Sequence, residues 1–147
     1  MKKKIICVLL LALTLLLTAC GGGSSKETPS DYADGIYSGR SSDFEEDESG
    51  NGAGYGEVEI EIKDNKVVAC TFLMYELDGT LKDSTYGADL SKENRLKAQK
   101  AVQSADKYAE MLVKSGSLDG VDAISGATIS YNEFLEAVRD ALSKAAK

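Results

Sequence analysis

The chain has 147 residues, with 17 basic and 24 acidic side chains, a net charge of −7 and no histidine. An acidic surface repels phosphate backbones, so no nucleic-acid partner is expected. The missing histidine removes the usual zinc and haem ligands, the Ser/His and Cys/His nucleophile pairs and the commonest general base.

Residues 1–19 have the form of an export signal: Lys2, Lys3 and Lys4, then Ile5 to Leu17, apolar except for Thr14. The run is too short to span a bilayer. Without those lysines, 14 basic side chains face 24 acidic ones, a net charge of −10. Leu17-Thr18-Ala19-Cys20, followed by Gly21-Gly22-Gly23-Ser24-Ser25, resembles a bacterial lipobox. The resemblance implies that Cys20 carries diacylglycerol through a thioether and becomes the mature N-terminus. The lipid bilayer is then a partner through Cys20, and the expected location is the extracytoplasmic face of the cell membrane, where each buried methylene contributes about 0.8 kcal/mol. The other reading, a soluble secreted chain cut near Ala19, leaves Cys20 as a thiol with no packing role. Residues 20–33, with glycine, serine, charges and Pro29, suggest a flexible tether. Cys7 leaves with the signal, so Cys70 alone remains in the fold and no internal disulfide is expected.

Residues 34–147 are long enough for one core and too short for two. Asp34 to Arg40 suggests a short first strand, and Ser41 to Gly56 an acidic, glycine-rich loop. Val58, Ile60 and Ile62 alternate with Glu57, Glu59 and Glu61, the pattern of a half-buried strand. Asp64 and Asn65 mark a tight turn. Val67 to Tyr75 is apolar at nearly every position, which suggests a central strand buried on both faces. Asp78-Gly79 signals another turn, with a short strand over Thr80 to Lys82. Leu96, Val102, Ala105, Ala109 and Leu112 then form a helical stripe between an N-cap at Ser91 and a stop at Gly116. A last helix carries Phe134, Leu135, Val138, Ala141, Leu142 and Ala145 on one face. Strands first and helices second predict an α+β fold: a small antiparallel sheet built on a β-hairpin, packed with two helices.

Between the helices lies Val121 to Ser130. Ser130 and Glu133 have the spacing of a capping box, which would place Thr128 and Ile129 just before a helix start. Free amides and the positive dipole end favour an anion there, and Gly126 and Ala127 leave the backbone uncovered. Asp122-x-x-Ser125-Gly126-Ala127-Thr128-x-Ser130 resembles the flavinylation motif D-x-x-[ST]-G-A-T-x-[ST] of the FMN-binding domain family. That family includes flavin-bearing subunits of the Rnf and sodium-pumping NADH:quinone oxidoreductase complexes and many small bacterial lipoproteins. The resemblance extends to Asp34–Gly39, to Gly54–Cys70 and to Phe134–Ala146.

The resemblance implies FMN joined covalently to Thr128 by a phosphoester, a bond made by a separate flavin transferase that uses FAD and releases AMP. Asp122, Ser125, Gly126, Ala127 and Ser130 would then shape and present the loop. It also implies a membrane-tethered electron carrier rather than a substrate-converting enzyme, with membrane or extracellular electron donors and acceptors as partners. The chain lacks the Glu-Thr-Pro-Gly-type segment of complex-bound members in its Tyr75–Gly87 stretch and is similar there to the small lipoprotein branch. Two alternatives stand beside the carrier. One is a lipoprotein holding flavin or another phosphorylated small molecule non-covalently; the other is a surface lipoprotein that has lost its redox role. No catalytic residue is expected within the chain.

Among the tyrosines, Tyr86 and Tyr131 are the candidates to stack on a flavin ring, for their nearness to the Tyr75–Gly87 stretch and to the attachment site. Asp47, Ser49, Asn51 and Gly52 match positions 1, 3, 5 and 6 of an EF-hand calcium loop. Position 12 is Val58, however, and a strand follows, so a solvated acidic loop and no metal site are expected. Cys70, alternating with Val68, Phe72 and Met74, suggests a small buried hydrophobe.

Overall fold

The computed structural model describes residues 31–47 and 52–147. The signal, Cys20, Ser49 and Asn51 lie outside them. Three antiparallel strands, β1 (Gly35–Arg40), β2 (Tyr55–Lys63) and β3 (Lys66–Tyr75), are ordered β1-β2-β3. Helix α1 (Lys92–Ser115), a single 3-10 turn (Leu118–Gly120) and helix α2 (Thr128–Ala145) follow, so the fold is α+β.

The β2–β3 turn places Asp64 and Asn65 at φ 50° and 63°, the paired left-handed residues whose twist matches a two-residue hairpin. It also anchors the start of the fold. Asn65 Oδ1 accepts from the Tyr32 amide at 2.6 Å, and Asp34 Oδ1 accepts from the Asp64 amide at 3.1 Å. Tyr32 is buried and bridges to Ala146, while the Ala33 amide donates to the Ala145 carbonyl at 2.8 Å. These contacts hold residues 31–33 against the folded domain.

In β2, Val58, Ile60 and Ile62 are buried and Glu57, Glu59 and Glu61 exposed, as the alternation predicts. The segment 67–75 differs from expectation. β2 is the central strand, and β3 lies at the end of the order with Val68 and Leu73 more than 40% exposed. Both helices contact the sheet through buried positions of one face, so the other face stays wet. A bulge explains the misleading apolar run. Ile62 pairs with Val67 and Glu61 with Ala69, so Val68 is skipped and the in–out parity inverts. Val67 therefore points inward before the bulge, and Cys70, Phe72 and Met74 after it, on the opposite parity. Burial pushes the Cys70 thiol up to about 12, which makes it a packing residue rather than a reactive one. The short strand over Thr80–Lys82 reduces to a single bridge between Leu81 and Tyr75.

Helix α1 has the caps its sequence predicts. Ser91 accepts from the Asn94 amide at 3.3 Å, and Gly116, at φ 73°, donates to the Leu112 carbonyl at 2.8 Å. Its buried face runs only from Ser104 to Leu112, whereas Leu96 is 65% exposed and Val102 half-buried. The helix begins beyond the core: Asn94, Lys97, Ala98, Ala101 and Val102 line an open cleft instead.

Helix α2 packs on β1 and β2 through Phe134, Ala137, Val138, Ala141, Leu142 and Ala145, with Leu135 half-buried. Gly39 lets it approach, because a Cβ there would run into the Ala137 carbonyl and Ala141. The helix also protects the outer edge of β1. Asp140 accepts from the Arg40 amide at 2.9 Å, Glu136 accepts from the Ser42 amide at 3.0 Å, and Lys144 donates to the Ser38 carbonyl at 2.8 Å. Phe134 is the hub of the core. It meets Phe72 edge-on at 5.0 Å and stacks with Tyr108 at 5.6 Å, and burying a side chain of this size contributes about 1.5–3 kcal/mol.

Candidate functional site

The connection between α1 and α2 is held from below by two core tyrosines. Tyr108, fully buried, accepts from the Ile124 amide and donates to the Ala127 carbonyl, both at 3.1 Å. Tyr131 donates to the Val121 carbonyl at 3.1 Å and packs against Tyr108, with ring centroids 5.6 Å apart. The turn closes with the Ala127 amide on the Ile124 carbonyl at 3.0 Å and Gly126 at φ 76°. Only glycine adopts that conformation without strain. Gly126 is exposed, and the Lys100 side chain lies alongside, with its ammonium 3.0 Å from where an added Cβ would stand.

The capping box does not form. Helix α2 starts at Thr128 after an N-cap at Ala127 that provides no side-chain bond, so Ser130 and Glu133 already lie inside the helix. The reason is tertiary. Ser130, Glu133, Phe134, Ala137, Val138 and Ala141 form one buried stripe, so Glu133 is drawn inward and cannot reach back to the helix start. Thr128 becomes the first helical residue, with an exposed side chain. The helical ladder begins with the Tyr131 amide on the Ala127 carbonyl at 3.0 Å, leaving the amides of Thr128, Ile129 and Ser130 outside it. No acidic side chain occupies this first turn to offset its positive end.

This helix start opens into a cleft of about 870 Å³ between the N-terminal half of α1, the start of α2 and the segment after β3. That volume falls in the range of small-molecule and cofactor sites. Of the sequence-predicted residues, Gly126, Ala127, Thr128, Ser130 and Tyr86 line it. Asp122 and Ser125 are exposed and do not line it, and Tyr131 is directed to the core as the clip on Val121. The loop's hydrogen bonds come from Tyr108 and Tyr131 rather than from the side chains of Asp122 and Ser125. A smaller depression of about 340 Å³, lined by Arg40, Glu57, Glu59 and Leu73, carries none of the motif residues.

The far wall holds residues that sequence reasoning missed. Lys82 is 8% exposed, its ammonium 5.1 Å from the centre of the Tyr86 ring and lying over Gly54, where a side chain would collide with it. Burial lowers the Lys82 pKa, opposed by the charges of Glu133 and Glu76. Glu133 is 1% exposed. Burial raises its pKa, opposed by Lys82 and reinforced by Glu136. Tyr86 is half-buried and its pKa is raised by burial and by Glu76, Glu133 and Glu46 in that order. Its backbone is fixed to α1 through Gln99, which donates to the Tyr86 carbonyl at 2.7 Å. Glu133 was legible in part, as a carboxylate in phase with an apolar stripe. Lys82 left no signal in a lysine-rich sequence.

The geometry suits a flavin nucleotide. Three free amides and a bare, left-handed glycine stand at one end for a phosphate, an exposed hydroxyl beside them, and a deep wall with buried polar groups at the other. The sequence profile of the FMN-binding domain family matches residues 51–143, and the chain belongs to that family. The described fold is similar to that of the Clostridium perfringens protein CPE2226, with a TM-score of 0.58 and 20% sequence identity over 78% of this chain and 89% of the other. That likeness concerns the fold alone. No curated protein matches the chain in sequence. Among the described residues, no helix is long and apolar enough to cross a membrane, and no cluster of His, Cys, Asp or Glu side chains could hold a metal ion.

Proposed function

We propose that the protein is an electron carrier whose FMN is joined through its phosphate to the Thr128 hydroxyl, tethered by lipid on Cys20 to the outer face of the cytoplasmic membrane. The observation that carries this reading is the position of Thr128: exposed, first in α2, and on the lining of the 870 Å³ cleft. The amides of Ile129 and Ser130 and the positive end of α2 would neutralise the phosphate on an otherwise acidic molecule. Gly126 leaves the backbone open to it. Tyr86 and Met74 would shield the ring from water. FMN supplies reversible one- and two-electron chemistry when bound.

Among the described residues, neither nearby carboxylate is placed to activate Thr128. Asp122 is exposed outside the cleft, and Glu133 is buried five residues along the helix. The transfer from FAD, with AMP leaving, is therefore assigned to a separate flavin transferase. A carrier on a tether would act within a short radius of membrane donors and acceptors, raising its effective concentration without tight docking.

The test is intact mass after co-expression with a flavin transferase. The wild-type chain gains one FMN mass that survives denaturation, and Thr128→Ala does not. A yellow colour that dialyses away would support non-covalent binding instead.

A further inference from the structure

Glu133 Oε1 is fully buried with no hydrogen-bond partner. Lys82 lines the same cleft almost as deeply buried. Each acts on the other's charge, yet they form no ion pair within 4.0 Å. Buried polar atoms in folded proteins are paired with very few exceptions, and burying an ion costs several kcal/mol unless hydrogen bonds compensate it. An unpartnered buried carboxylate oxygen and a largely buried ammonium facing one cavity, one able to accept and the other able only to donate, match a ligand edge that carries a carbonyl beside an N–H. The pyrimidine end of a flavin ring is such an edge, an imide N–H between two carbonyls. The rest of the ring is apolar or carries acceptors alone, and neither would satisfy a carboxylate.

We infer that Lys82 and Glu133 are the residues that hold the pyrimidine edge of the flavin, Lys82 donating to a ring carbonyl and Glu133 accepting from the imide N–H. The inference rests on the flavin-carrier reading and adds the ring contacts that the motif does not specify. It also assigns Lys82 a second effect. Its ammonium places a positive charge at the edge where electrons accumulate on reduction, so it favours the reduced form.

The experiment uses the full chain flavinylated by co-expression, as wild type, Lys82→Met, Lys82→Arg, Glu133→Leu and Glu133→Gln. Flavin occupancy is checked by intact mass and folding by thermal melting. Lys82→Met is expected to shift the oxidised–reduced equilibrium at least tenfold toward the oxidised form, about 30 mV lower for a two-electron couple, and Lys82→Arg to restore it. Glu133→Leu is expected to raise iodide quenching of the flavin fluorescence severalfold, while Glu133→Gln, which keeps an acceptor oxygen, does not. Wild-type potential in Lys82→Met together with wild-type quenching in Glu133→Leu, at full flavin occupancy, overturns the inference and leaves the carrier reading standing. If the wild-type chain gains no FMN mass, covalent attachment fails, and titration of free FMN decides the ring contacts. Binding weakened at least tenfold by both Lys82→Met and Glu133→Leu supports them; equal binding, or none to the wild type, overturns them.

Discussion

Tyr108→Phe removes a single oxygen and tests whether the motif loop is held from the core. That hydroxyl accepts from the Ile124 amide and donates to the Ala127 carbonyl. The variant leaves the Ala127 carbonyl bonded to the Tyr131 amide at 3.0 Å, whereas the Ile124 amide loses this partner. The ring contacts with Phe134 and Tyr131 persist, so packing is nearly unchanged. One stranded, part-buried donor costs up to about 1–3 kcal/mol. In a domain of this size that lowers Tm by roughly 4–12 °C. Calorimetry on the purified apo protein measures the shift. The initial rate of FMN incorporation by the transferase measures its functional consequence, which should be slower because Thr128 follows the loop directly. A Tm within about 1 °C of wild type, with unchanged incorporation, would falsify the account, since the loop would then be held without the hydroxyl.

The cleft carboxylate should make stability depend on pH in an unusual sense. Because burial raises the Glu133 pKa above its unfolded value, the native state binds the extra proton, and the contribution of this group to stability falls as pH rises above about 4.5. Chemical denaturation of apo protein should show Glu133→Gln gaining on wild type as pH rises above about 4.5; parallel curves would mean that Glu133 titrates normally. Gly39→Ala forces a methyl group into the backbone of α2. It should cost at least 1–3 kcal/mol, the usual range for overpacking, seen as a lowered denaturation midpoint, and an unaffected midpoint would show that helix and strand are not so closely apposed.

Much of the fold could be derived before any coordinates because its signals are local. The Asp64-Asn65 turn, the alternation in β2, and the Ser91 and Gly116 caps of α1 each depend on residues within a few positions of one another, and each appears as expected. The bulge at Val68 is different in kind. It is a property of pairing between strands, and it gave an apolar run on both parities that imitates a doubly buried strand. Leu96 misleads for a related reason, since helical phase fixes which face a residue occupies but not whether another element covers that stretch of the helix.

The site divides along the same line. Thr128 and Gly126 were readable as cleft residues because they lie in one contiguous motif, whereas Lys82 and Glu133 reach the same cleft from distant parts of the chain. Glu133 is the more instructive of the two. Local rules assign it a solvent-side cap on Ser130, and the structure buries it in the apolar stripe of α2 with an oxygen unpartnered. That placement weakens the helix start by removing a capping bond and adds the cost of burying a carboxyl group. Folding alone gains nothing from either. Conflicts between local preference and tertiary placement concentrate where function requires them. The same helix turn that loses its cap exposes the amides of Thr128, Ile129 and Ser130, and the same side chain that fails to cap them reaches the cleft wall. One displacement thus accompanies both polar ends of the cleft, a helix start with open amides and a wall with a buried carboxyl group, and the proposed flavin nucleotide, with a phosphate at one end and a hydrogen-bonding ring at the other, would account for both.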